Sequence, residues 1–268
     1  MRQTDKKSSS MAQRIEGLRS RERQLTASIR DEITEKDPAC RIVYLPNLMP
    51  TQNVDYIFIA MEPSIGGWAK DEEDGKRKIR EGFRNFILTW EDFLLHYCIT
   101  NYLSPSYYVT DVSQAAMKVR DADRWRASVY PRWMKLLREE IEIVGNDNCR
   151  LVFVGSKAGK FLKPGFSGRQ VAKTILHYSK TAAKFRKAIP RRYPKEFRRF
   201  KKDLSSTTIL DFAKEFLQRN EVPAQITDWI LNGLRFANAK LTESRKELTF
   251  TYCKEFQDIR NSSNLSDF

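Results

Sequence analysis

Short apolar runs dense in β-branched and aromatic residues recur along the chain at Arg41 to Leu45, Asp55 to Ala60, Tyr107 to Val112 and Arg150 to Val154, and a weaker one, VAKTIL, ends at Leu176. Between them lie longer segments with helical spacing, such as TWEDFLLHYCITNYL and ADRWRASVYPRWMKLLREEIEIV. That alternation leaves few folds open. Strands joined by helices long enough to cross over pair in parallel, and a parallel sheet is covered on both faces, so each strand reads as a nearly continuous apolar run. The pattern predicts an α/β fold: a three-layer sandwich with a central, mainly parallel four- to five-stranded sheet, plus helical N- and C-terminal extensions. Residues 1–36 read as a basic tail and a solvated helix outside the core, 37–189 as the α/β domain, and 190–268 as a basic linker followed by helices that pack on the core.

A chain of 268 residues with 41% hydrophobic content can bury a core of this size. Its formal charge of +14, from 48 Lys+Arg against 34 Asp+Glu, favours a polyanionic partner, nucleic acid or an anionic surface. Between Lys180 and Lys202 stand eleven Lys or Arg and one acidic residue, with Phe185, Tyr193, Phe197 and Phe200 interleaved. Cations with aromatics among them suit phosphate neutralisation plus base stacking, although a solvated face has the same composition. The segments LSSTTILDFAKEFLQRN, PAQITDWILNGLRFANAK and ESRKELTFTYCKEFQDIR that follow read as amphipathic helices. Cys40, Cys98, Cys149 and Cys253 lack any metal-ligand spacing and read as reduced, buried thiols. With no signal-peptide pattern and no long apolar run, the expected setting is cytoplasmic, and the expected state a soluble monomer without membrane contact.

Ligands of open α/β sheets bind outside the carboxyl ends of the strands. The run YIFIA is followed by Glu62, Pro63, Ser64 and the pair Gly66 and Gly67, a polar loop whose glycines admit a close backbone approach, or simply make a tight turn. YYVTDVSQ brings Asp111 to a strand end, LVFVGSKAG a Gly-x-x-Ala turn at Gly155 to Ala158, and ILHYSKTAAKF brings His177. The other histidine, His96, lies in an apolar helical stretch and reads as a packing residue.

In that order, the four stretches resemble the uracil-DNA glycosylase superfamily, and the first is most similar to its single-strand-selective monofunctional branch. The branch carries Gly-Met-Asn-Pro-Gly-Pro-Phe-Gly-Met-Ala after its first core strand; here Ala60, Met61, Glu62, Pro63, Ser64, Ile65, Gly66, Gly67, Trp68 and Ala69 stand in its place. Asp111 occupies the place of the family's base-reading Asn, GSKA matches its Gly-x-x-Ala turn, and HYSK matches its His-Pro-Ser motif in part, with Tyr178 where the family has proline. The resemblance covers roughly residues 41–185. Glu62 departs from the Asn or Asp of several branches, while a Gly-Glu-Ala-Pro-Gly loop occurs in another.

The resemblance implies a DNA glycosylase that hydrolyses the N-glycosidic bond of a flipped-out base, with DNA as partner and neither metal nor cofactor. Glu62 would stabilise the cationic sugar and orient or deprotonate water, and His177 would hydrogen-bond the departing base. Met61, Trp68 and Phe83 are candidates for holding the base, and Ser64, Lys157, Ser179, Lys180, Lys184 and Arg186 for gripping the DNA backbone. An asparagine amide both donates and accepts, whereas an ionised Asp111 only accepts. It would therefore favour an exocyclic amine, hence a cytosine-type and modified base, of the kind met in defence against viral DNA or in base-excision repair. Competing readings of Asp111 are a structural cap and a carboxyl kept protonated by burial. For the whole chain they are a uracil-directed glycosylase, a catalytically silent nucleic-acid-binding module, and a metal-assisted hydrolase.

Overall fold

The computed structural model of the chain describes residues 10–66, 68–166, 171–236 and 241–264, except for the side chains at positions 180, 181, 236, 263 and 264. Its strands are β1 (Val43–Tyr44), β2 (Val54–Ala60), β3 (Tyr107–Asp111), β4 (Ala115–Ala116), β5 (Gly145–Val154) and β6 (Val171–Ile175). Its α-helices are α1 (Met11–Lys36), α2 (Glu72–Glu81), α3 (Trp90–Tyr102), α4 (Val119–Val144), α5 (Ser156–Leu162), α6 (Ala188–Arg192), α7 (Pro194–Asp203), α8 (Ser206–Arg219), α9 (Ala224–Phe236) and α10 (Glu243–Asn264).

The central sheet has four strands in the order β3-β2-β5-β6, all parallel. Side chains alternate across it as the pleat requires, and both faces are apolar. Ile57, Ile59, Leu151 and Phe153 face a core shared with α1, α4 and α5, while Phe58, Ala60, Val152 and Val154 face α3 and α10. The result is the expected three-layer α/β sandwich. The run around Arg41 to Leu45 is the exception among the expected strands: β1 pairs antiparallel with β4 in a separate two-stranded sheet.

The N-terminal helix also departs from expectation. Ile15, Leu18, Ile29 and Ile33 of α1 are buried against α4 and the sheet, so the helix is part of the core rather than a solvated extension. The stripe is hard to see because Glu22 interrupts it; that carboxyl is buried and accepts a hydrogen bond from the Tyr44 hydroxyl at 2.7 Å. At the other end, α10 packs on α3 and β6, with Tyr252 and Phe256 inside. Helices α8 and α9 cover a second apolar cluster built on Trp68, Phe83, Trp90 and Phe93. The four cysteines are free and buried. No helix among the described residues is long and apolar enough to cross a membrane.

Candidate active site

The chain passes from β2 to β3 on one side and then returns to place β5 on the other side of β2. The carboxyl ends of β2 and β5 therefore flank the topological switch point, where an open parallel sheet forms a crevice. All four sequence stretches meet there. The backbone N–H groups of Val112 and Ser113 donate to Ala60 and Met61 at 3.1 and 3.3 Å, which joins the loops after β3 and β2. Ile65 donates to Met117 at 3.0 Å, so the loop carrying Glu62 is tied at its far side as well. Gly155 donates to Ile175 at 2.9 Å and has φ of 98°, and a Cβ there would stand 3.0 Å from that of His177. Glycine is thus required after β5 both by its backbone and by the closeness of the histidine.

Glu62 is gripped rather than free. Its Oε1 accepts from Arg126 Nη2 at 2.7 Å, and its Oε2 accepts from Arg126 Nε at 3.1 Å and from the Tyr130 hydroxyl. Arg126 and Tyr130 sit one turn apart on α4, and Arg126 also donates to Asp123 at 2.5 Å. Burial raises the Glu62 carboxyl above the ordinary carboxylate range, and the Arg126 guanidinium opposes that rise.

His177 is half-buried, its ring stacked on that of Tyr178 with centroids 4.7 Å apart. Its Nδ1 accepts the backbone N–H of Ser179 at 2.9 Å. A backbone nitrogen can only donate, so the imidazole proton resides on Nε2. Burial, helped by the charges of Arg186 and Lys157, lowers its pKa to about 4, and the ring is neutral at physiological pH.

Asp111 is buried, and its Oδ2 accepts from Asn85 Nδ2 at 2.7 Å. Burial pushes this carboxyl well up, and the nearby Glu62 and Asp92 carboxyls add to the effect. The surroundings therefore match the protonated reading of Asp111, and the ionised form on which a cytosine preference rested is disfavoured. Tyr178 is held in the same place: its phenol lies against the Asp92 and Asp111 carboxyls, and burial raises its pKa well above the usual value.

The remaining candidates divide. Ser64 is exposed, and Lys157 is exposed at the rim with its Nζ 3.1 Å from Asp123. Lys184 is exposed over the ring of Phe185, and Ser179 orients His177 through its backbone. Met61 is half-buried against the core. Trp68 and Phe83, expected to hold the base, are instead core residues: both are buried, their rings stack at 6.2 Å, and Trp68 Nε1 donates to the Ser64 carbonyl at 2.8 Å. Arg186, expected on the DNA backbone, is buried too, donating to the Tyr178 carbonyl and at 3.0 Å to the Ser244 hydroxyl. It fixes the His177 loop from inside. Gly67 and the side chain of Lys180 lie outside the described part. His96 packs as expected, its Nε2 against the Phe86 carbonyl at 3.0 Å and its Nδ1 on the Tyr107 hydroxyl at 2.8 Å.

Sequence reasoning missed Arg126, Tyr130 and Asn85, which reach the crevice from helix and loop positions without a motif. A cavity of about 470 Å³ lies elsewhere, along the outer edge of β3, and shares Asn85 with the crevice. Among the described residues no cluster of three His, Cys, Asp or Glu side chains is arranged to hold a metal ion. No family model matches the chain, and neither a curated protein nor a solved structure does.

Proposed function

We propose that the protein is a DNA glycosylase that hydrolyses the N-glycosidic bond of a flipped-out pyrimidine, acting in the cytoplasm as a monomer without a cofactor. The observation that carries this reading is the convergence of Glu62, Asp111, the Gly155 turn and His177 on one crevice at the switch point of the sheet. The +14 charge and the exposed cations Lys157 and Lys184 suit a DNA backbone.

Residue chemistry gives each group a role. A water attacks C1′ of the deoxyribose while the bond to the base breaks, and the electron pair leaves with the base. Glu62 stabilises the cationic sugar and takes the proton of the attacking water; a carboxylate has about four acceptor sites, so the grip of Arg126 and Tyr130 leaves room for that water. His177 presents Nε2–H as a neutral donor to O2 of the departing base, where negative charge accumulates. Products are the free base and an abasic sugar. Flipping costs a few kcal/mol, offset by contacts to the phosphates. Base-excision repair and defence against modified viral DNA are both settings for such an activity.

A silent binding module is the second reading, favoured by the bidentate hold of Arg126 on Glu62, which suits a structural ion pair equally well. The substitution Glu62→Gln separates the two. On the enzymatic reading, base release falls roughly a hundredfold to ten-thousandfold while DNA affinity stays unchanged. Release at the wild-type rate in that variant removes Glu62 from the mechanism, and DNA binding without release by the wild-type protein establishes the module.

A further inference from the structure

β3 is an edge strand, and along its length the backbone pairs on one side only. In a parallel ladder alternate residues turn to the neighbour: the Ser106 carbonyl accepts from Tyr56 N–H at 3.3 Å, and Val112 N–H donates to the Ala60 carbonyl at 3.1 Å. The N–H and C=O groups of Tyr107 and Val109 therefore point away from β2, and they have no hydrogen-bond partner among the described residues. Tyr108 packs into the core beneath α4 and Tyr107 toward α3, so the cavity of about 470 Å³ that touches residues 107–109 opens on the edge itself. Bare edges invite pairing with other chains. Here residues 48–52 and the end of α8 stand around the edge and enclose the space beside it.

The walls of this cavity are held in place. Phe86 has φ of 60° and Glu221 φ of 53°, and these two, the described non-glycine residues in the left-handed region, both line it. Such conformations persist where the surroundings over-determine them. Phe86 is fixed from both sides: its N–H donates to Asn85 Oδ1 and its carbonyl accepts from His96 Nε2, each at 3.0 Å. A carbonyl can only accept, so His96 carries its proton on Nε2, and its Nδ1 accepts from the Tyr107 hydroxyl at 2.8 Å. On the same wall Arg219 is exposed, without an ion pair among the described residues, and its charge reaches the Tyr107 phenol. Glu221 makes no ion pair with it either, and its exposed carboxylate suits the hydroxyls of a ribose.

The Tyr107 carbonyl and the Val109 N–H stand side by side as acceptor and donor. They complement a heterocycle edge that carries an N–H next to a lone pair, which every nucleobase has on its pairing edge. A peptide strand would use the same groups, but two residues of bare edge are too short a run for one. The volume falls in the range of roughly 300–1,000 Å³ for small-molecule sites. We propose that this cavity binds a nucleoside monophosphate, its base read by the backbone of Tyr107 and Val109 and its phosphate held by Arg219. The site is separate from the crevice that holds Glu62 and His177, and it stands independently of the glycosylase reading.

The test is equilibrium dialysis of the full chain against adenosine, cytidine, guanosine and uridine 5′-monophosphates, with ribose 5-phosphate as the probe that lacks a base. At least one nucleotide is expected to bind roughly tenfold or more tightly than ribose 5-phosphate, and by a similar margin more tightly than its own derivative methylated on the ring nitrogen of the pairing edge. Arg219→Gln is expected to weaken that nucleotide roughly tenfold, and to leave binding of the parent nucleoside, which has no phosphate, unchanged. The nucleoside thus reports that the variant is folded and its cavity intact. The proposal is overturned if none of the four nucleotides binds, if ribose 5-phosphate or the methylated derivative binds equally well, or if Arg219→Gln binds the nucleotide like the wild type. Base release from DNA is neither required nor excluded by any of these results, so the two readings fail separately.

Discussion

On the proposed mechanism Glu62 works as a carboxylate, and the Arg126 guanidinium opposes the rise that burial imposes on it. Replacing Arg126 by Met removes the counter-charge and leaves the carboxyl buried, so its pKa rises further. The acid limb of the pH–rate profile is then expected to move to higher pH, with activity at neutral pH depressed and partly recovered in alkaline buffer; an unchanged limb means that Glu62 is not the titrating base. At this scale the sequence was legible for position: Glu62, Asp111 and His177 stand at or just beyond the ends of strands of the parallel sheet. It was not legible for their partners. Arg126 and Tyr130 stand 64 and 68 positions from Glu62, and Asn85 stands 26 from Asp111, separations that only the folded chain closes. Trp68 and Phe83 misled because an aromatic beside a functional loop has the same sequence signature whether it faces a ligand or the core.

Among elements, β2, β3 and β5 were legible because their central stretches, 56–60, 107–109 and 151–154, are apolar runs packed on both faces, while the half-buried β6, with Lys173 and Thr174, gave the weaker signal. β1 shares that composition but pairs elsewhere, since composition does not encode register. α1 was misread because its buried stripe, Ile15, Leu18, Glu22, Thr26, Ile29 and Ile33, contains a charge-bearing residue and a hydroxyl at its centre. Burial brings the Glu22 pKa to about 7, and the Tyr44 hydroxyl hydrogen-bonds its carboxyl, so the stripe tolerates it. If α1 belongs to the core, Leu18→Ala destabilises the protein by about 2 to 5 kcal/mol in denaturant unfolding, the range for a buried leucine. A loss below about 0.5 kcal/mol would return the helix to the surface.

For the molecule as a whole, the buried acids dominate the pH dependence of stability. Burial raises Glu22 and Glu255 to about 7, Glu140 to about 8 and Asp92 to about 6. The folded protein thus keeps protons that the unfolded chain has already released above its ordinary carboxylate range, and stability falls as pH rises through these values. The two histidines work the other way: lowered to about 4 when folded, they favour folding more as pH climbs toward 6.5. These acids, joined in direction by Asp111 and Glu62, outweigh the two imidazoles below that point, and above it the imidazoles no longer oppose them. Thermal unfolding should therefore show a midpoint several degrees lower at pH 8.5 than at pH 5.5, about 1 kcal/mol or more, and Glu140→Gln should flatten the decline. A midpoint that rises over this range would contradict the assignment of these groups.

Cleavage of the N-glycosidic bond, as proposed, is read directly by mass spectrometry of released bases. The protein would be incubated with single- and double-stranded DNAs containing uracil, cytosine, 5-hydroxymethylcytosine or its glucosylated form. A free pyrimidine and an equal yield of abasic sites are expected from at least one of them, with release unaffected by a chelator. Absence of any free base from every strand, with DNA binding intact, would contradict the proposed cleavage.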